Sequence, residues 1–307
     1  MSDGHAVEDL TRPLNDPDFV ADALSPQTLR RIHEAPGFAP AARNMALSRL
    51  AVLGSTSPDI RWLVRDLAST GIFYAALAHE AVFGGATVTG LCDIAQDGIC
   101  SRGRVIAWVE RAIGFGLVQV AAGPERWTRR RLILDSRLAA EAVRRVKADC
   151  DTFATLAPEL GEISTATAAL ALATYLRVAF ELTLTRPDVM RGEQLPIGRL
   201  MSTDGGTQLL MYLLSRQPEG ASILLVPTPL SVAACARHAR ISRLQVRRLV
   251  RLAEEAGLFE PGPPRWIAPT HRLVDDFGWV LAANLQVLRI TAEALMRRRD
   301  PFANGRS

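Results

Sequence analysis

The chain has 307 residues, 48% of them hydrophobic, and a formal net charge of only +4 with a pI near 9.2. That length supports two ordinary domains with real cores, and few aromatics (6%) beside abundant Ala, Leu and Arg favour helices over a β-sandwich or barrel. Apolar stretches such as 166–179 are too short and interrupted to span a bilayer, no early apolar signal segment is present, and Cys92, Cys100, Cys150 and Cys235 form no C-x-x-C pair, so a reduced, cytoplasmic protein without a membrane partner is expected.

In chain order, Asp16-Pro17 signals a helix over 16–34. Residues 40–53 predict a second helix, and 59–79 a longer one broken near Thr70-Gly71. A short helix over 87–97 precedes another over 101–113, with Ser101 as its N-cap. Two β-like runs, 117–120 and 131–134, are joined by "AAGPERWTRR", with turn chemistry at Gly123-Pro124. A long helix from 136 to about 157 follows. After Pro158 the pattern restarts: helix 164–184, loop 186–196, helix 199–216, short helix 230–240, helix 242–256, a turn-rich ribbon over 259–269, helix 274–297 and a fraying tail over 299–307.

Both halves therefore run helix, helix, short helix, helix, ribbon, long helix. At an offset of 141, Ser101, Arg102, Val105, Val109, Ala112, Gly116 and Leu117 fall on Ser242, Arg243, Val246, Val250, Ala253, Gly257 and Leu258. Each segment then carries Gly-Pro followed by Arg-Trp, at 126–127 and 265–266, and "LAST" at 67–70 echoes "LMST" at 200–203. An internal duplication is expected, with a first half over 1–158 carrying its ribbon unit at about 87–135. The second half, 159–298, carries its unit at about 229–270.

Short helix, tight turn, capped helix and two-stranded ribbon is the winged helix-turn-helix arrangement. The expected fold is mainly α with two small β-wings: tandem winged helix-turn-helix units joined by a helical, dimerisation-like core. Val246, Leu249, Val250 and Ala253 fall at i, i+3, i+4 and i+7 and bury one face. Arg243, Arg247, Arg248 and Arg251 then lie on the other side.

An arginine-rich helix face is often only a solvated surface, and a GC-rich genome explains why Lys147 is the sole lysine. Here, however, residues 237–251 hold six arginines and no acidic residue, in the second helix of the motif and beside a basic ribbon. A helix of this kind enters the major groove of B-DNA, and arginine's planar fork matches phosphates and guanine edges. The candidate DNA-binding residues of the first half are Ser101, Arg102, Arg104, Arg126, Arg129, Arg130 and Arg131. Those of the second are Arg240, Ser242, Arg243, Arg247, Arg248, Arg251 and Arg265. The halves are unequal readers: Arg247, Arg248 and Arg251 stand where the first helix has Ile106, Ala107 and Glu110. The first half is expected to lean on phosphate and wing contacts, and Gly103 to let its helix approach the backbone.

Each half resembles a subunit of the MarR-type winged-helix regulators. "PERWTRRRLILDSR" is similar in layout to that family's wing, with Glu125-Arg126 near the acidic-basic pair and Leu132-Ile133-Leu134-Asp135 like its closing strand. The second wing, "EPGPPRWIAPTHRL", is shorter and proline-broken. The resemblance implies a transcription regulator with two subunits fused into a pseudo-dimer that binds promoter DNA as a monomer. It also implies that a small aromatic effector can bind where helices carrying Trp62, Phe73, Tyr74, Tyr175 and Phe180 meet.

A plasmid-type replication initiator and a protein-docking module without DNA binding remain alternatives. No Walker loop, H-E-x-x-H, G-x-S-x-G or dinucleotide fingerprint occurs, and the five histidines lack ligand spacing, so neither catalysis, a cofactor nor a metal is expected. Cys92 and Cys235 read as core residues, and Cys100 is the better placed of these for redox sensing.

Overall fold

The computed structural model describes residues 21–96, 100–185, 195–260, 263 and 265–299. The expected start at Asp16-Pro17, the loop residues 186–194 and residues 300–307 lie outside the described residues. The chain is mainly helical with two small three-stranded antiparallel sheets.

Helix α1 (Pro26–His33) starts where Ser25 Oγ accepts the Thr28 amide and Pro26 occupies the first turn. The expected continuous helix over 16–34 is thus interrupted at Ser25. Helix α2 (Phe38–Ser55) and the short α3 (Pro58–Leu63) follow. Helix α4 (Leu67–Phe83) begins at Asp66, whose Oδ1 accepts the Ser69 amide at 2.8 Å. The break expected near Thr70-Gly71 therefore falls earlier, at 64–66, where a capping carboxylate supplies the start signal. Strand β1 (Ala86–Thr87), α5 (Val88–Gln96), α6 (Arg102–Gly114), β2 (Val118–Val120), β3 (Arg131–Leu134) and α7 (Ser136–Phe153) complete the first half.

In the second half, α8 (Gly161–Thr165) precedes α9 (Ala168–Thr185). The helix expected over 199–216 is two helices, α10 (Pro196–Met201) and α11 (Gly206–Ser215). They turn at Gly205, φ 80°, and a Cβ on Gly206 would lie 1.8 Å from the Leu200 carbonyl oxygen, so only glycine admits this approach. Then come β4 (Thr228–Pro229), α12 (Val232–His238), α13 (Arg243–Glu255), β5 (Phe259–Glu260), β6 (Trp266–Pro269) and α14 (His271–Arg299).

The two sheets have the same order, β1-β3-β2 and β4-β6-β5, all antiparallel. Strands β1 and β4 were not anticipated; two residues are too few to carry an alternating pattern. The "LAST" and "LMST" echo does not mark equivalent positions: the first opens α4, whereas the second straddles the end of α10.

The halves interlock. Helix α2 packs on α11, and its counterpart α9 packs on α4. Helix α7 packs on α2 as α14 packs on α9, and α1 lies on α14 as α8 lies on α7. One buried cluster runs through these long helices and under α12 and α13, with Phe38, Phe153, Leu210 and Phe277. A second lies under the first ribbon, where Phe73, Leu91, Trp108 and Leu132 meet Leu172 and Leu176 of α9. Both cores mix residues from the two halves, so neither half encloses its apolar surface alone.

Candidate nucleic-acid interface

Helices α6 and α13 are built alike from equivalent residues. Ser101 Oγ accepts the Arg104 amide and Ser242 Oγ accepts the Gln245 amide. Val105 and Ala112, like Val246 and Ala253, are completely buried. Gly116 and Gly257 then turn the chain at φ 66° and 67°, and the Leu117 and Leu258 amides close on the Ala112 and Ala253 carbonyls. Trp108, fully buried, donates from Nε1 to the Leu63 carbonyl at 3.0 Å and so ties α6 to the turn before α4.

That turn and its counterpart hold both helices from below. Arg104 pairs with Asp66 at 2.5 Å, and the equivalent Gln245 donates to the Asp204 carbonyl at 2.6 Å. The two turns touch each other: the Gly205 amide donates to the Arg65 carbonyl at 3.1 Å, and Arg65 stacks over Trp62 at 4.2 Å. The first turns of α6 and α13 are therefore joined through one continuous set of contacts.

The predicted arginines divide into two groups. Arg243, Arg247 and Arg248 are exposed and make no ion pair among the described residues; Arg102, Arg126 and Arg129 are likewise exposed and unpaired there. Arg104 is committed to Asp66, Arg131 to Glu80 at 2.5 Å, and Arg251 to Glu255 at 2.8 Å along its own helix. Arg130 donates from Nε to the Glu125 carbonyl at 2.7 Å, which braces the first ribbon loop. Arg240 and Arg265 occupy the left-handed region at φ 56° and 73°, unusual for arginine. The Arg265 carbonyl accepts the Leu230 amide at 2.6 Å, and the Arg240 guanidinium lies 3.9 Å from where a Gly54 side chain would stand at the end of α2. Leu244, unremarked in the sequence, is 75% exposed among the α13 arginines, and Trp266 is exposed on the second ribbon.

Of the aromatic residues expected to meet between the halves, Tyr74 and Tyr175 do, with ring centroids 5.9 Å apart across α4 and α9. Phe73 packs on Tyr74, and Phe180 packs on His79 and Phe83. Trp62 instead sits on α3 against Phe115 and Arg65. Beside the tyrosines is a cavity of about 240 Å³ lined by residues of α2, α4, α7, α9, α10, α11 and α14. It holds charge that the sequence reading missed. Arg49 Nε donates to Asp149 Oδ1 at 2.7 Å, a second contact joins Nη2 to Oδ2, and Asn284 reaches the same carboxylate at 3.5 Å. The signal was present: Arg49 interrupts the buried stripe of Met45, Ala46 and Leu53, and Asp149 stands between Val146 and Phe153. Burial raises both tyrosines above the usual phenol value, Tyr175 well above, so both are neutral hydroxyls.

Cys92, Cys150 and Cys235 are buried, and burial pushes the last two thiols up to about 12. Cys100 is half-buried just before α6. Among the described residues no cluster of three metal-ligating side chains occurs and no helix is long and apolar enough to cross a membrane. Comparison with protein families, curated proteins and solved structures finds no match to this chain.

Proposed function

We propose that the chain is a sequence-specific double-stranded DNA-binding transcription regulator that works as a single-chain pseudo-dimer. Strand, helix, helix and two-stranded ribbon form two winged helix-turn-helix units, over 86–134 and 228–269, of MarR-like layout. The interlocked long helices take the part of a dimerisation core.

The observation that carries this reading is the pairing of equivalent helices with unequal surfaces. Helices α6 and α13 share caps, buried positions and exits, yet α13 presents Arg243, Arg247 and Arg248 exposed and without an ion pair among the described residues. Core packing does not need those arginines; a phosphate-lined groove does. Helix α13 is the base reader, and α6 with its ribbon arginines Arg126 and Arg129 is the backbone clamp.

Selection of bound sequences from a random duplex library, followed by anisotropy titration on the enriched and a scrambled duplex, tests this. Enrichment of a motif with affinity at least about 10³-fold above the scrambled duplex is expected. No binding to any duplex at low salt would leave the units as protein-docking modules.

A further inference from the structure

Leu244 is out of place for a residue whose only task is folding. It is 75% exposed, the most exposed large apolar side chain among the described residues. It stands second in α13, whose buried face is carried by Val246, Leu249 and Ala253 instead. A single apolar side chain at a surface is ordinary. This one differs in its surroundings. On a helix the residues three and four positions further on are its neighbours, and for Leu244 these are Arg247 and Arg248, both exposed. Exposed Arg243 precedes it, and none of the three arginines makes an ion pair among the described residues.

The position is also held in place. Ser242 Oγ accepts the Gln245 amide at 3.0 Å, and Gln245 Nε2 donates to the Asp204 carbonyl at 2.6 Å. Leu244 lies between these two anchored residues, so its backbone is ordered before any ligand arrives and little ordering cost remains on binding. At the offset of 141 its counterpart in α6 is Gly103, where a Cβ would meet no atom within 4 Å. Space therefore does not exclude a side chain from α6. The two helices differ in what they offer at this position, and only α13 offers an apolar group.

We propose, on the basis of the regulator function above, that Leu244 is a specificity-determining residue: its side chain packs on the C5-methyl of a thymine in the half-site that α13 enters. That methyl is the apolar group that base-pair edges present in the major groove, and the N-terminal residues of a groove-bound helix reach those edges. A protein partner seated on Leu244 would have to desolvate three guanidinium groups as well, whereas the phosphates that flank a groove accept them. Because α6 has Gly103 at the equivalent place, methyl readout is confined to one half-site.

Uracil differs from thymine only by this methyl. Replacing the thymines of the selected duplex one at a time with deoxyuridine, and titrating each duplex by anisotropy, isolates its effect. For the wild-type chain one position, or two adjacent ones, should bind about fourfold more weakly as uracil. At tenfold per roughly 1.4 kcal/mol, that is the ~0.8 kcal/mol of one buried methyl. Leu244→Ala should bind the thymine and uracil duplexes equally at that position. The side chain is exposed, so this variant should fold, which circular dichroism checks. A selected motif without thymine, no wild-type loss at any uracil, or a loss that persists in Leu244→Ala overturns the assignment and leaves the regulator function standing. Binding to no duplex at all would instead remove the regulator function, and this assignment with it.

Discussion

The Arg104 guanidinium lies 2.5 Å from the Asp66 carboxylate, in a place where the second half puts Gln245 against the Asp204 carbonyl. One contact is an ion pair with a buried acid and the other a neutral hydrogen bond. Each fixes the first turn of its helix to the turn beneath. Arg104 thus serves the fold before any ligand arrives, although in sequence it looks as available as Arg102.

Exchange of Arg104 for alanine should therefore register as instability. Asp66 keeps its capping bond to Ser69 and the longer Arg65 contact at 3.5 Å but loses the closer of its two cationic partners, at a cost of about 1 kcal/mol given that Arg104 is itself partly exposed. Thermal denaturation should show a lower midpoint, whereas the salt dependence of DNA binding should change little. Arg102→Ala should behave oppositely, with an unchanged midpoint and a salt slope reduced by about one unit.

The roles of the two helices separate by charge removal. Arg247→Ala with Arg248→Ala should lose specific affinity, each good bidentate base contact being worth about 1–3 kcal/mol of discrimination. Arg126→Ala with Arg129→Ala should weaken all duplexes alike and flatten the salt slope by about one unit per lost phosphate contact. Titrations on specific and scrambled duplexes across salt concentrations distinguish them. Equal losses on both duplexes for the α13 pair would refute its role as base reader.

Much of this architecture is legible because it is local. Ser101 and Ser242 announce the same cap, Gly116 and Gly257 the same exit, and the apolar spacing between them the same buried face. The breaks at 64–66 and 202–205 hide inside apolar periodic runs, although Asp66 and the Gly205-Gly206 pair are recognisable turn signals once weighed against periodicity. Strands β1 and β4 exist only through their pairing with β3 and β6, which local pattern does not encode. Arg49 and Asp149 are one hundred positions apart. Two misplaced charges on apolar helix faces can be noticed separately, but their meeting depends on how α2 packs on α7.

Gly206 offers a strict test of the α10–α11 turn. Its Cβ position is occupied by backbone, the Leu200 carbonyl oxygen at 1.8 Å, so no side-chain adjustment relieves the clash. Gly206→Ala should destabilise the chain by at least about 1–3 kcal/mol, the usual cost of overpacking a tight site. Gly220→Ala, in open space but at φ 76°, should cost less. Denaturant midpoints for the two variants decide the order.

Alkaline pH should weaken the fold. Cys150 and Cys235 hold their protons up to about 12 in the folded chain because they are buried, whereas an unfolded thiol ionises near 8.5. A raised folded value means that this stability is complete below about pH 8.5 and is lost as pH rises from there towards about 12. Midpoints measured between these limits should fall, and Cys235→Ala should make the fall shallower. At pH 8 in native buffer, Ellman's reagent should reach half-buried Cys100 well before the three buried thiols.

In the proposed regulator one chain carries both readers, held by its interlocked helices. Ordinary two-chain regulators mirror their two-fold axis in half-sites about one helical turn apart. Here α6 presents Ile106, Ala107 and Glu110 where α13 presents Arg247, Arg248 and Arg251, so the two half-sites need not match. Light scattering of the purified complex on the duplex selected from the random library, combined with a footprint on that duplex, is the most direct measurement. One 33.4 kDa chain per duplex, on a site that is not a palindrome, is expected. Two chains on a perfect inverted repeat would contradict it.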